Sequence, residues 1–458
     1  MHRFPSLRAG VAVAAAALPA VVAAAGGSLL CGTAGDELVA ARAGLTREWV
    51  VQIPFDSAGW RLEHVAVGDG LVVASSGDGG VHAVKTSPAT AGSPRAGSVL
   101  WSQQVGRPGG PVYPAGIGPQ IVTVAHDLDL RAFGAEDGSP KWHRALGRPP
   151  SGAAVPSGDW VYGPLSADGV ERYPVNPLAP PRTAKQGAAP RIGTPPPNAE
   201  SRQQANDPLK PVTIDGAGRI ESDPVPYAGG IAWCTEGGIL VAIVPADEEW
   251  KRLEFDLGSR LAGPPVVRGE RIFVATVNGD LVRIENLPQQ DVRELSAGWH
   301  VVLPGPPEGG PLVSGETVVV SLGGEGVVAV SAATGEELWR SCLGGRLVGT
   351  TGDRVWLVDQ VGRLTSLDLA DGTPSEWMCL GDFTVPVTNT LSERLILASP
   401  DGLVVSLAPR RTTKALAPPK PQAKPGKPAA GKDAGDEPAA KEPTRDAPAA
   451  EEAERTET

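Results

Sequence analysis

The chain has 458 residues, room for two or three average domains or for one large all-β unit. Its 58 glycines and 46 prolines, beside 41% apolar residues, point to many short strands joined by many turns around a substantial core. A formal net charge of -11 argues against a general nucleic-acid binder.

The N-terminus carries His2, Arg3 and Arg8, then an Ala/Val/Leu run from Ala9 to Ala25, the pattern of a secretory signal. Residues 1–34 are therefore expected to be a signal peptide or a membrane anchor, because the run extended to Leu30 is long enough to span a bilayer. Small residues at Ala23–Ala25 and at Gly32–Ala34 offer two cleavage points. Cys31, reached through Ser28-Leu29-Leu30, is a candidate lipid-attachment cysteine, although Leu30 is larger than the residue usually found there.

Trp49, with Val50, Val51 and Ile53, comes next and has no hairpin of its own. From residue 71 onward one unit recurs: an apolar strand, a Gly- or Asp-containing turn, a second apolar strand, a Gly turn, then Trp. The clearest copy is Thr317–Arg340, followed by Arg354–Trp377; Gln120–Trp142 is a third. Looser copies run from Leu71 to Val84 before Trp101, Ile231 to Val244 before Trp250, and Arg271 to Ile284 before Trp299. Trp160–Tyr173 and Arg394–Leu407 are hairpins without a following Trp. Gly97, Gly138 and Gly335 precede Trp101, Trp142 and Trp339 by four residues, whereas Gly372 precedes Trp377 by five.

These hairpins, at periods near 40 residues, match the blades of a propeller of four-stranded antiparallel sheets. Eight blades are favoured, with seven as the alternative, over residues 47–408. Helical solenoids are excluded because no unit shows helical apolar spacing. A propeller must close, and Trp49 with its neighbours supplies an outer strand for the last hairpin, which removes an exposed sheet edge. Trp49, Trp101, Trp142, Trp250, Trp299, Trp339 and Trp377 are the expected blade-docking residues. Residues 179–220, rich in Pro, Gly and Gln, read as a long surface loop leaving blade three. Residues 409–458 carry one large apolar side chain, Leu416, and predict a disordered tail. Its charge is segregated, basic from Arg410 to Lys432 and mainly acidic beyond, as in a solvated spacer or a segment touching anionic envelope polymers.

The units Ala332–Arg340, Ala135–His143 and Leu367–Trp377 resemble the PQQ-like propeller repeat, through degenerate copies covering most of residues 47–408. Two branches of that superfamily matter. Quinoprotein dehydrogenases bind pyrroloquinoline quinone and calcium beneath an adjacent Cys-Cys disulfide. The outer-membrane assembly lipoprotein BamB and its relatives are non-catalytic and closer in size, export signal and blade number. The resemblance implies an exported, periplasmic or envelope-associated scaffold, a monomer within a complex of envelope or outer-membrane assembly proteins. The alternative is a quinoprotein-like enzyme or small-ligand sensor using the central channel.

No catalytic, cofactor or metal residues are expected. The cysteines Cys31, Cys234, Cys342 and Cys379 form no adjacent pair. No histidine stands two or four residues from another, and His126-Asp127 with Asp129 reads as a hairpin turn. Nucleophile-elbow, dinucleotide and phosphate-loop motifs are missing. Cys342 and Cys379 follow their tryptophans by three and two residues, which sets them on opposite strand faces, so both are expected to be buried free thiols.

Overall fold

The computed structural model describes residues 33–86, 94–166, 169–177, 209–220, 222–246, 249–289 and 292–410. The chain divides into a unit Met1–Arg410 and a unit Arg411–Thr458, and every described residue lies in the first. The tail beyond Arg410, residues 1–32 with Cys31, and most of the 179–220 segment lie outside the described residues.

Each of the first seven hairpins of the repeat gains one strand before it and one after it, giving antiparallel four-stranded blades in simple chain order. Blade 1 consists of Leu62–Val67, Leu71–Ser76, Gly80–Lys85 and Val99–Gln104, from the innermost strand to the outermost. Blades 2 to 7 repeat this plan, beginning at Gly116, Val155, Val225, Val266, Leu312 and Gly345. Second strands are buried along their whole length, as in Leu71–Ser76, Ile121–His126, Trp160–Pro164 and Gly230–Cys234. A continuous apolar run is what a strand covered on both faces requires, and here both faces are covered by neighbouring blades. Outer strands are half-covered and alternate: in Pro140–Ala145 only Trp142 is buried.

The core is accordingly a series of inter-blade layers. Val73 and Val122 share the layer between blades 1 and 2, Ala132 and Val161 the layer between 2 and 3, and Tyr162 and Ile231 the layer between 3 and 4. Ala242 and Ile272, Phe273 and Val318, and Val319 and Val355 continue the series to blade 7. Trp356 with Leu395, then Ile396 with Val72, carry it through blade 8 and back to blade 1. The fold is an all-β, eight-bladed propeller.

Blade 8 is built from both ends of the described chain. Its hairpin, Leu395–Ala398 and Leu403–Pro409, takes Leu45–Gln52 as its outer strand, with Val50 opposite Val405. Val385, bridged to Ala398, occupies the inner position. Trp49 and Ile53 are buried against Leu62 and Val72 of blade 1, so the closing strand also forms the last inter-blade layer. Upstream, the helix Glu37–Arg42 is capped by Asp36, whose Oδ1 accepts the Leu38 N–H at 3.2 Å. Ala34, Ala40 and Ala43 pack on blades 7 and 8 through Trp356, Met378 and Leu395. Ordered structure thus begins well before residue 47.

One expectation is corrected. The 179–220 segment does not leave blade 3; it runs between the third and outer strands of that blade. Val212–Ile214, inside the segment, is the outer strand and pairs with Val170–Arg172. Two β-branched residues flanking Thr213 suffice for three pairings, too few to show as a periodicity.

Deleting residues 45–52 leaves Leu403–Pro409 without its partner and uncovers Leu62 and Val72. The expected outcome is a sharply lowered melting temperature with increased binding of an apolar dye; an unchanged melt contradicts closure by this strand.

Candidate functional site: blade docking, loop face and central axis

The Gly-to-Trp motif joins one blade to the next. Trp49 packs on Gly97, Trp101 on Gly138, Trp299 on Gly335 and Trp339 on Gly372. In every case the glycine belongs to the following blade. Trp101, Trp299 and Trp339 also donate their indole N–H to carbonyls there: Ala135 at 3.0 Å, Ala332 at 3.1 Å and Leu369 at 2.8 Å. Trp142 donates to Val175 of blade 3 at 3.2 Å. The four glycines have φ of +80°, +65°, +78° and +72°, and a Cβ at Gly138 would lie 2.5 Å from the Trp101 ring. Glycine is required on both counts.

Trp377 and Trp250 depart from this arrangement. Trp377 is 54% exposed, and Met378 is buried in its place against blade 8. The extra residue between Gly372 and Trp377 reverses the strand face, since side chains alternate with period two. Blade 8 moreover takes its outer strand from the N-terminal side, so it has no third-to-outer turn for a tryptophan to rest on. The Trp377 ring instead lies under the Arg363 guanidinium, 5.3 Å from the centroid. Trp250 follows no turn glycine and faces backward to blade 3, while Leu253 fills the layer toward blade 5. Arg172 lies 4.1 Å from the Trp160 ring and 4.9 Å from the Trp250 ring, a cation–π bridge across the blade 3–4 interface. Burial pulls the Arg172 pKa below its ordinary value.

Connections between blades and turns between second and third strands share one face of the ring, and two cavities open there. One, of 410 Å³, lies between blades 4 and 5 and is lined by Ser222, Asp223, Thr235, Arg260 and Gly263. Asp223 Oδ1 accepts the Ala153 N–H at 2.8 Å. Burial raises the Asp223 pKa, opposed by that hydrogen bond and by His64. His64 is itself tied to the Val112 carbonyl at 3.1 Å. The second cavity, of 770 Å³, is lined by Arg107, His126, Asp127, Asp129 and Arg131. Asp129 contacts His143 at 3.2 Å and Arg131 at 3.8 Å, and Asp127 takes the left-handed turn position at φ 54°.

At the opposite end of the axis Arg268, last residue of the inner strand of blade 5, reaches across the ring. Its guanidinium donates to Val267 at 3.0 Å, to Val313 of blade 6 at 3.3 Å and to Thr390 of blade 8. Burial depresses its pKa. Near the loop face, Arg346 at the start of blade 7 is likewise depressed by burial, countered by Glu308.

Among the described residues no group of three or more His, Cys, Asp or Glu side chains could hold a metal, and no helix is long and apolar enough to cross a membrane. The cysteines differ from expectation. Cys234 is a buried free thiol whose pKa burial drives upward, but Cys342 is free and exposed, and Cys379 is disulfide-bonded. Cys342 follows the last residue of its strand and so escapes the inter-blade layer. Cys31 lies outside the described residues.

Trp101→Ala removes a buried, hydrogen-bonded ring and is expected to cost about 3–5 kcal/mol in denaturant unfolding. Trp377→Ala should stay within about 1 kcal/mol of the parent, because its ring is largely in solvent. Equal losses would contradict the face assignment. Asp223 binds its proton more tightly folded than unfolded, so its charge destabilises the fold above the raised pKa, and this penalty fades as pH falls towards the unfolded value. Asp223→Asn, which keeps an acceptor for Ala153, should therefore melt higher than the parent at neutral pH. The gain should shrink on acidification through the raised pKa, as read by melts across pH.

Residues 288–411 match the family model described as outer membrane protein assembly factor BamB. No curated protein matches the chain. Among solved structures, BamB from Moraxella catarrhalis superposes with a TM-score of 0.56 at 16% identity, covering 80% of this chain and 98% of that one. The computationally designed protein Ika8 reaches 0.54 at 11% identity, covering 79% and 99%. Sqt1 from Saccharomyces cerevisiae reaches 0.51 at 11% identity, covering 79% and 98%. At these identities the superpositions report the fold alone. The chain is an eight-bladed β-propeller whose repeat resembles the PQQ-like kind, and its residues 288–411, from the outer strand of blade 5 through blade 8, resemble BamB.

Proposed function

We propose that the chain is a non-catalytic, extracytoplasmic scaffold that holds partner proteins of the envelope, in the manner of a factor for outer-membrane protein assembly. The observation that carries this reading is the match of residues 288–411 to the BamB family model. The basic and apolar start of the chain supports export, with residues 1–34 as signal or anchor. A propeller running from Leu45 to Pro409, with the segment ahead of Val212 as an insertion in blade 3 and the residues after Arg410 as a solvated tail, completes the proposed organisation. The ring offers partners two faces, and the connections between blades gather on one of them.

A second reading, a small-ligand sensor or enzyme, draws on one feature: Asp223, Ser222 and Arg260 line one cavity between blades 4 and 5. Affinity purification of the full chain from its native envelope separates the two. The scaffold reading expects outer-membrane assembly proteins to co-purify, and no visible absorbance to develop with added pyrroloquinoline quinone. Recovery of the chain without envelope partners, together with saturable quinone binding, overturns it in favour of the second.

A further inference from the structure

The chain has four cysteines, of which Cys234 and Cys342 are free and Cys379 is disulfide-bonded. Within the chain this leaves one residue to supply the second sulfur. We propose that Cys31 is the disulfide partner of Cys379, and that its sulfur is therefore closed to lipid attachment.

The described residues next to Cys31 favour the pairing. Thr33 forms a parallel bridge with Cys379, and the Ala34 N–H donates to the Cys379 carbonyl at 2.8 Å. Gly381 holds the Thr33 side chain closely: a Cβ there would lie 2.8 Å from Thr33 Cγ2. Two peptide units separate Cys31 from Thr33, a reach of about 7 Å. A disulfide spans Cα separations of about 4.4–6.8 Å, a span within reach of a residue two positions from Thr33. The other thiols are poorly placed: Cys234 is enclosed between blades 4 and 5, and Cys342 faces solvent on blade 6.

The chemistry is a two-electron oxidation. The thiols of Cys31 and Cys379 lose two protons and form the S–S bond; the two electrons reduce a disulfide oxidant, which leaves as its dithiol. Lipid attachment would instead convert the Cys31 sulfur into a thioether, and one sulfur cannot hold both bonds. The disulfide closes a loop containing blades 1 to 6 and nearly all of blade 7, and it restrains the unfolded chain accordingly. It calls for an oxidising compartment and so agrees with export, provided that any signal cleavage falls at Ala23–Ala25, upstream of Cys31, and it does not depend on the scaffold reading.

The test uses the full chain purified from its native cells, with free thiols alkylated at lysis and no reductant, then digested with trypsin. The expected map shows the peptide ending at Arg42 joined to Leu364–Arg394, both released by reduction, with Cys234 and Cys342 alkylated. Alkylated Cys379, an acyl-bearing Cys31, Cys379 joined to Cys342, or two copies joined through Cys379 would each overturn the proposal. Cys31→Ser, Cys379→Ser and the double variant should lower the melting temperature equally, and additive losses count against the pair. Failure to recover envelope partners leaves this map unchanged, so the two proposals fail separately.

Discussion

Every blade interface has to match two curved, twisted sheets, and the indole resting on a turn glycine of the next blade sets that match at four of them. The contact fixes three things together. It sets the radial position of the outer strand, fills the wide outer part of the wedge between blades, and at Trp101, Trp299 and Trp339 supplies a carbonyl for the indole N–H, whereas the buried Trp49 N–H has no partner. The inner part of the wedge is narrower and is filled by the Val, Ile, Leu and Ala residues of the second and third strands. Where the contact is missing, something else fills the space: Arg172 between two tryptophans at blades 3 and 4, and Met378 with the 34–43 segment at blades 7 and 8.

Much of this architecture was legible in the sequence, because a propeller repeats one local solution and each copy leaves its mark. The hairpins gave the blade number, and the stranded Trp49 beside an incomplete Arg394–Leu407 hairpin gave the closure. The five-residue spacing before Trp377 also carried information, since an odd offset in a period-two strand reverses the face. By that rule Trp377 is excluded from the layer between blades 7 and 8, the counterpart of the layer that Trp339 enters between blades 6 and 7. Trp250 announced its difference as well, having no turn glycine before it. Val212–Ile214 left no comparable mark, because a strand of three residues inside a Pro-rich segment is shorter than any pattern that could reveal it.

The candidate sites were illegible for a different reason. Asp223, Thr235, Arg260 and Gly263 come from blade 4 and the two connecting segments that flank it, and Arg268 meets a carbonyl 122 residues away. Ring geometry brings them together, and no local spacing records it. The cysteines show the same limit. Strand parity correctly separated Cys342 from Cys379, but it could not show that Thr33, far upstream, runs beside Cys379.

The seam in blade 8 bears on how the protein is made. Glu48 and Arg394, joined across the seam at 2.5 Å, stand 346 residues apart, so the first strand of the ring is synthesised long before its partner exists. Until Leu403–Pro409 is complete, the growing arc presents an unpaired strand at each end, the kind of edge that recruits other chains. Long-range pairings of this type also form slowly. The seam therefore acts as a check on completeness: a full-length chain can hide both edges by joining them, and a chain that stops short of the last hairpin cannot.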